Sequence, residues 1–291
     1  DKNENKPFTA YIKKVWQVTH QNKYDVIIDM RSTIRTLFFS LFSLKTPFRI
    51  GRIKGYTRFL LNYRTDTYSN SLTTDMVERN LLLAAPLEKI KPIQYTKEFR
   101  LYLTDQEKKD FRYYMEKEGI DFARPVFLIG VTTKLLHKKW NTEFMITTLK
   151  RILEEYKDIQ MIFNYAPGYE EEDARNIYKE LGCPERIKID IQASSLRQLA
   201  ALCANCSFYF GNEGGARHIA QALEIPSFAI YSPSAYKSMW LPTNSVLARG
   251  ISPDDILPPE QQATLTYEER FALITPEKVY NQLTSTLRQL G

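Results

Sequence analysis

Short apolar runs alternate with stretches of helical period along most of this chain, and that alternation narrows its fold more than any other feature. The runs at 126–130, 160–164, 186–189, 207–210 and 227–231 suit buried strands, and the stretches 142–156, 169–181, 196–204 and 215–223 between them carry apolar residues at helix spacing. Strands separated by helices of about 10 to 15 residues form βαβ units, in which the strands are parallel and the crossovers right-handed. The second half therefore reads as a Rossmann-like domain. The first part begins in the same rhythm: Phe8, Tyr11, Ile12, Val15 and Trp16 fall at helix spacing, 25–29 is a compact strand, and 32–44 is a helix with Ser32 as its cap. The stretch 48–71 is basic and aromatic with little period and is expected to be irregular surface structure, and 73–85 is expected to be a helix capped by Thr73 or Thr74. A Lys- and Glu-rich helix at 104–118 joins the halves. A final amphipathic helix at 275–290 has Pro276 in its first turn.

The length of 291 residues fits two domains. With 43% hydrophobic and 25% charged residues the chain is neither disordered, collagenous nor a disulfide scaffold. The longest apolar run, 36–44, falls well short of the ~20 residues of a membrane helix. Forty Lys and Arg against 34 Asp and Glu leave a net +6, which suits anionic partners without choosing among them. Cys183, Cys203 and Cys206 are odd in number, and one C-x-x-C lacks the second pair of a structural zinc site. Cys203 falls at the end of a helix and not at its start, which argues against a redox motif. Reduced thiols, with Cys203 and Cys206 as two buried small side chains, and no metal site are expected.

In open α/β sheets ligands sit beyond the carboxyl ends of the strands, so the strand-to-helix turns are the segments to search. The first, Gly130-Val-Thr-Thr133 running on to His137-Lys-Lys-Trp140, offers hydroxyls, backbone N–H groups and a Lys to phosphate oxygens. It lacks a Walker-type loop, and spacing alone fits a polar loop with solvated lysines equally well. The second, Ala166 to Asp173, places four acids at a helix start, where one can accept from ribose hydroxyls and the rest simply complement the macrodipole. The third, Phe210-Gly-Asn-Glu-Gly-Gly-Ala-Arg-His218, says most. Gly214 and Gly215 permit close backbone approach, and the N–H groups of Gly215, Ala216 and Arg217 can point at a diphosphate. A tight turn would account for the glycines, but not for Asn212, Glu213 and His218 together.

These residues resemble glycosyltransferase family 9, the ADP-heptose:lipopolysaccharide heptosyltransferases. Gly211-Asn-Glu-Gly-Gly-Ala-Arg-His218-Ile-Ala followed by Ala222-Leu-Glu-Ile-Pro226 is similar to the family's G-N-D-S/T-G-x-x-H-x-A-A-A-L-G-x-P signature. Tyr24-Asp-Val-Ile-Ile-Asp29 with Ile34-Arg35, Arg49-Ile-Gly51, Met76-Val-Glu-Arg79, Lys138-Lys-Trp140 and Trp240-Leu-Pro242 resemble further family segments, in family order. Each is weak alone; the ordered set, from about residue 24 to 242, is specific.

The resemblance implies an α/β, GT-B-like fold of two Rossmann-like domains with parallel sheets facing across a cleft, the first incomplete. Residues 1–105 would form the acceptor domain and 122–272 the donor domain, with 273–291 a helix that can pack back on the first. It implies an inverting, metal-independent transferase that moves a sugar, heptose by resemblance, from an ADP-linked donor to a lipopolysaccharide-type acceptor. No cofactor is implied, because the nucleotide sugar is a substrate. Thr132, Thr133 and Lys138 match positions that hold the donor diphosphate, and Glu213, Gly214, Gly215 and Ala216 match the turn whose amides bind it. Glu172 matches the ribose contact, with Glu170 and Glu171 close alternatives; His218 matches the signature histidine, and Arg35 a basic residue on the acceptor side.

Three departures stand out. Glu213 and Gly214 replace Asp and Ser/Thr, Arg31 and Ser32 replace a Gln-Gly pair, and the opening strand, its D-x-x-G-D-type loop and a second βα unit do not precede Tyr24. The last amounts to roughly 60 residues. The chain begins at Asp1 without a Met or a signal segment, so it is expected to have been cut upstream or to begin after something was removed, and the general base is expected upstream. A lipid-linked acceptor would place the protein at the cytoplasmic membrane face, where Arg49, Arg52, Lys54 and Arg58 are candidates for contact with anionic lipid. The rival from another class is a non-catalytic nucleotide-sugar-binding protein that has lost its base. A sugar-nucleotide epimerase is a further alternative, and no motif supports nucleic-acid binding.

Overall fold

Two all-parallel sheets organise the protein, one in each of the units Asp1–Glu98 and Phe99–Gly291. The computed structural model describes residues 7–67, 75–241 and 245–290. In the first unit α1 (Phe8–Gln21), β1 (Val26–Asp29), α2 (Ile34–Leu41), β2 (Phe48–Arg52), β3 (Tyr63–Thr65) and α3 (Met76–Leu81) follow one another, and the sheet runs β1-β2-β3. The stretch expected to be irregular thus contains two strands. Its sequence conceals them because β2 carries two arginines whose guanidinium groups serve the backbone. Arg49 donates from Nε to Leu60 O at 2.9 Å and from Nη1 to Leu44 O and Thr46 O at 2.7 Å each. Arg52 is buried and donates to Met30 O at 2.9 Å and Asn80 Oδ1 at 2.8 Å. Two of the four basic residues expected to meet lipid are therefore internal fastenings. Gly51 of the same strand has no room for a Cβ, which would come within 2.5 Å of the Leu61 side chain.

The cap of α2 is Thr33 and not Ser32. Ser32 sits one residue earlier with a left-handed φ of 46°, donates from Oγ to Asp29 O, and accepts from Arg52 N at 2.8 Å. α3 starts later than expected, behind Asp75, whose side chain accepts from Glu78 N. The expected caps Thr73 and Thr74 lie outside the described residues. The helix tightens into 3₁₀ geometry over Leu82–Lys89, a segment that contains Pro86.

The second unit holds α4 (Asp105–Lys117), β4 (Val126–Gly130), α5 (Thr142–Glu155), β5 (Gln160–Phe163), α6 (Tyr169–Glu180), β6 (Ile187–Lys188) and α7 (Leu196–Ala204). There follow β7 (Phe208–Asn212), α8 (Gly215–Ala222), β8 (Ser227–Ile230), α9 (Lys237–Trp240), β9 (Ala248–Ile251), α10 (Tyr267–Ala272) and α11 (Pro276–Leu290). Its strand order is β6-β5-β4-β7-β8-β9, so the winding reverses between β4 and β7. Every residue of β4, β5, β7 and β8 is buried, because helices cover both faces. Phe127 and Ile129 pack with α5, α6, α10 and α11 on one face, and Val126 and Leu128 with α4, α7 and α8 on the other. The sequence leaves open a return of the last helix to the first domain; Val279, Tyr280 and Leu283 of α11 are in the second unit's core. Cys203 and Cys206 are free and buried, and burial pushes the Cys203 thiol up to about 12. No helix among the described residues is long and apolar enough to cross a membrane.

Candidate functional site

A parallel sheet opens a crevice where its winding reverses, at the carboxyl ends of the two strands that diverge. In the second unit these are β4 and β7, paired through Gly130 and Gly211 at their last rungs. A Cβ on Gly130 would lie 2.2 Å from Tyr209 Oη, and Gly211 has φ +145° with the Gly130 backbone 2.4 Å from where its Cβ would stand. Only glycine brings the strand ends this close. Asn212 then joins the two turns. Its Oδ1 accepts from Trp140 N at 2.8 Å, and its Nδ2 donates to Gly130 O at 3.0 Å and Val131 O at 3.1 Å. Trp140 is fully buried and donates from Nε1 to Ile274 O, so the loop from 131 to 140 is pinned at both ends.

Lys138 leaves this loop toward Glu213, with Nζ 3.1 Å from Oε2. His218 approaches the other oxygen, Nε2 to Oε1 at 3.5 Å. Burial pushes the Glu213 carboxyl up, but His218 and Lys138 outweigh it and hold it down at about 2. The carboxylate is a fixed negative charge between two nitrogen groups. Beside it α8 begins, with Gly214 as its N-cap and no side chain capping its first turn. Gly214 is in extended geometry, and a Cβ at Gly214 or Gly215 would meet nothing within 4 Å. The chain itself does not require glycine at either position, so the tight-turn explanation fails. What the glycines provide is an open approach to the unpaired amides at a helix amino end.

The acids of α6 separate by role. Glu170 is buried and accepts from Thr132 Oγ1 at 3.1 Å, Asp173 pairs with Lys139 at 2.7 Å, and Glu171 pairs with Arg175. Glu172 is exposed on the next position of the helix. Of the three acids considered for a ribose contact, Glu170 is the one joined to the loop after β4. Tyr169 donates to Lys134 O, a further tie between α6 and that loop. Thr133 is half-buried and accepts from Leu135 N. Ala216 is buried in the first turn of α8. Thr132, Lys138, Glu213, Gly214, Gly215, Ala216 and His218 thus gather at one end of one sheet, with Thr133 on the same loop and Glu172 on the rim.

Sequence reasoning gave Arg217 no side-chain role, although it lies inside the quoted signature. It is fully buried between His218 and the Trp240 carbonyl. The signal was an arginine among the small residues at a helix start. Tyr267, which donates to His137 O at 2.6 Å, was not legible, since 130 residues separate the two. Arg35 belongs to the first unit. It is exposed near the start of α2, with its guanidinium over the Tyr11 ring at 4.8 Å.

The model of glycosyltransferase family 9 (heptosyltransferase) matches residues 12–250. No curated protein matches the chain. Among solved structures, E. coli ADP-heptose lps heptosyltransferase II is 19% identical over 97% of this chain and 82% of its own, with a TM-score of 0.69. The glycosyl transferase family 9 protein from Veillonella parvula is 14% identical over 97% and 79%, with a TM-score of 0.73. E. coli heptosyltransferase WaaC with ADP-2-deoxy-2-fluoro heptose is 14% identical over 97% and 78%, at 0.62. The likeness to these structures is one of fold: GT-B-like, with parallel α/β domains.

Proposed function

Because the chain belongs to glycosyltransferase family 9, we propose that it moves a sugar from an ADP-linked donor, heptose by family likeness, to a lipopolysaccharide-type saccharide, with inversion and without a metal. The observation that carries this reading is the open amino end of α8. Two glycines that nothing in the chain requires expose its first amides, and Lys138 stands beside them on Glu213.

An inverting transfer needs charge stabilisation for the departing nucleoside diphosphate and a base for the acceptor hydroxyl. In this reading the N–H groups of Gly215, Ala216 and Arg217 hold the diphosphate, and the helix dipole adds to them. Lys138 exchanges Glu213 for a phosphate oxygen, with Thr132 and Thr133 alongside. The ribose meets a carboxylate at the start of α6, from Glu170 or Glu172. Arg35 takes a phosphate of the acceptor in bidentate fashion. The base is not assigned to any residue of this chain.

Residues 30–65 hold eight Lys and Arg and no Asp or Glu. With Arg49 and Arg52 committed to backbone carbonyls, the other six suit the anionic cytoplasmic membrane face from which a lipid-linked acceptor would be presented. Titration calorimetry with ADP, UDP, GDP and CDP, followed by a transfer assay with ADP-heptose, tests the reading. Selective micromolar ADP binding with transfer is expected. Binding without transfer or hydrolysis favours the non-catalytic reading, conversion of the donor without acceptor favours an epimerase, and no nucleotide binding removes the donor site.

A further inference from the structure

Arg217 lies on the first turns of α8 with none of its surface exposed, and among the described residues no carboxylate forms an ion pair with it. A buried guanidinium without a counter-ion is costly unless its N–H groups find acceptors. Nη2 donates to Trp240 O at 2.9 Å, and Nη1 donates to Gln221 Oε1 one turn along the helix. Nε is buried without a partner. Nη2 also reaches the His218 ring, where it lies 2.5 Å from Nδ1 and 3.4 Å from Nε2, so the near nitrogen, Nδ1, takes the bond.

A guanidinium has donors only, so this last bond determines the imidazole. Nδ1 must present its lone pair. A hydrogen on Nδ1 would set two donors head to head at that distance. The ring hydrogen therefore belongs on Nε2, the nitrogen 3.5 Å from Glu213 Oε1. Trp240 meets the imidazole edge to face at 5.2 Å between ring centroids, which restrains its plane. The charged groups around the ring are Arg217 on its own helix and Glu213 on the preceding turn, with Lys138 reaching Glu213 from the loop after β4.

We propose that Arg217 is a positioning residue that fixes His218 as the neutral, Nε2-protonated tautomer, which makes His218 a hydrogen-bond donor in the donor site and disqualifies it as the base of the transfer. One nitrogen has its lone pair occupied by Arg217 and the other already carries hydrogen, so the ring has no site to receive a proton from an acceptor hydroxyl. The tautomer follows from the side-chain geometry alone, whereas the catalytic consequence rests on the transferase reading.

The chain contains only three histidines, so long-range ¹H–¹⁵N spectra of the histidine-labelled protein give each ring its own signals, and His218→Gln assigns one set. The expected result at neutral pH is an unprotonated Nδ1 and a protonated Nε2 in the intact protein. A ring protonated at Nδ1 overturns the proposal without any variant having to fold. In Arg217→Met the constraint is gone, and a mixture of tautomers is expected; an unchanged pure Nε2–H ring would show that Arg217 does not set it. Kinetics then test the consequence. His218→Gln keeps an N–H and has no basic nitrogen, and it should raise the donor KM several-fold while lowering kcat by less than tenfold. A kcat loss of the order of 10² to 10⁴, as removal of a general base gives, would overturn the assignment. If neither protein transfers sugar, the transferase reading fails and the tautomer result still stands or falls on its own spectrum.

Discussion

Lys138 Nζ and Glu213 Oε2 lie 3.1 Å apart, and this pair links the two turns that diverge from the centre of the second sheet. Glu213 is almost wholly buried, while Lys138 keeps about a quarter of its side chain in solvent. The partner able to move is therefore the lysine. An anion arriving at the amino end of α8 would compete with Glu213 for it.

Replacing Lys138 with Ala removes a charge-assisted bond to such an anion. Bonds of this kind contribute about 1.5 to 3 kcal/mol, so nucleoside-diphosphate affinity should fall roughly ten- to hundredfold. Titration calorimetry of Lys138→Ala against the parent reads this directly. Equal dissociation constants would take Lys138 out of the site. The same variant should also let the Glu213 carboxyl rise from about 2, since Lys138 is one of the two groups that hold it down.

The depressed Glu213 carboxyl has a consequence for stability. In the unfolded chain a glutamate titrates near its ordinary value of about 4.3, and in the folded protein at about 2. The folded state thus binds the proton less readily. The stabilisation is complete above the unfolded value and is lost as the pH falls from about 4 toward 2. Glu213→Gln does not titrate and should lack this dependence. Melting temperatures of the two proteins should therefore differ most at neutral pH and converge on acidification. A constant difference from pH 7 to pH 3 would show that Glu213 is not held by charge.

Why some of this was legible in the sequence and some was not has a physical basis. β4, β5, β7 and β8 are covered on both faces, so each is a short apolar run that stands out from the helical periods around it. β2 and β9 are not apolar runs. In β2 two arginines bond carbonyls of neighbouring loops, and in β9 Gly250 is required because a Cβ would lie 2.6 Å from Ala229 O. Local patterns carry no such information. At the site, turn residues were readable because glycines, a histidine and acids are unusual together at a strand end. Their partners were not. Thr132 meets Glu170 across 38 positions and Asn212 meets Gly130 across 82, and only the wound sheet brings them together.

The glycines of the two turns should respond to Ala in opposite ways. Gly215 opens α8 with no atom of the chain near its absent Cβ. Gly215→Ala should leave the melting temperature unchanged or raise stability by about 0.4 to 1 kcal/mol through the unfolded state. Its nucleotide affinity should fall at least tenfold if a diphosphate approaches that backbone. Gly130→Ala would press on Tyr209 Oη at 2.2 Å, and an overpacked core costs about 1 to 3 kcal/mol. Measuring both properties on both variants separates a binding glycine from a packing one, and unchanged affinity in Gly215→Ala would assign Gly215 to neither class.

Asn212 should behave as a structural clip whose loss reaches the site. Asn212→Ala leaves Trp140 N without its acceptor and frees Gly130 O and Val131 O from their donor. An unsatisfied buried group costs about 1 to 3 kcal/mol, so a melting-temperature drop of several degrees is expected. Lys138 rides on the loop that Asn212 holds, so nucleotide affinity should weaken as well. A variant that loses stability and binds ADP as before would show that the loop is positioned by Trp140 alone.

The first unit offers the test of membrane contact. Arg49 and Arg52 are committed to carbonyls, and Lys54 donates to Arg31 O at 3.1 Å, which leaves Lys45 and Arg58 among the exposed cations of residues 30–65. Phe59, next to Arg58, is 84% exposed, and Leu44, next to Lys45, is 55% exposed. The Arg49 guanidinium bonds both Leu44 O and Leu60 O, so one clamp holds the two loops side by side. Paired cations and large apolar side chains suit the interface of an anionic bilayer better than a phosphate backbone, which has no use for the phenyl ring. The protein should co-sediment with vesicles rich in phosphatidylglycerol and release them at high salt. Each cation near such a surface contributes about 1 kcal/mol, so Arg58→Glu should weaken binding roughly tenfold or more, and Phe59→Ser should weaken it further without changing the melting temperature. Binding that is equally strong to neutral phosphatidylcholine, or unaffected by both substitutions, would place any lipid contact elsewhere on the chain.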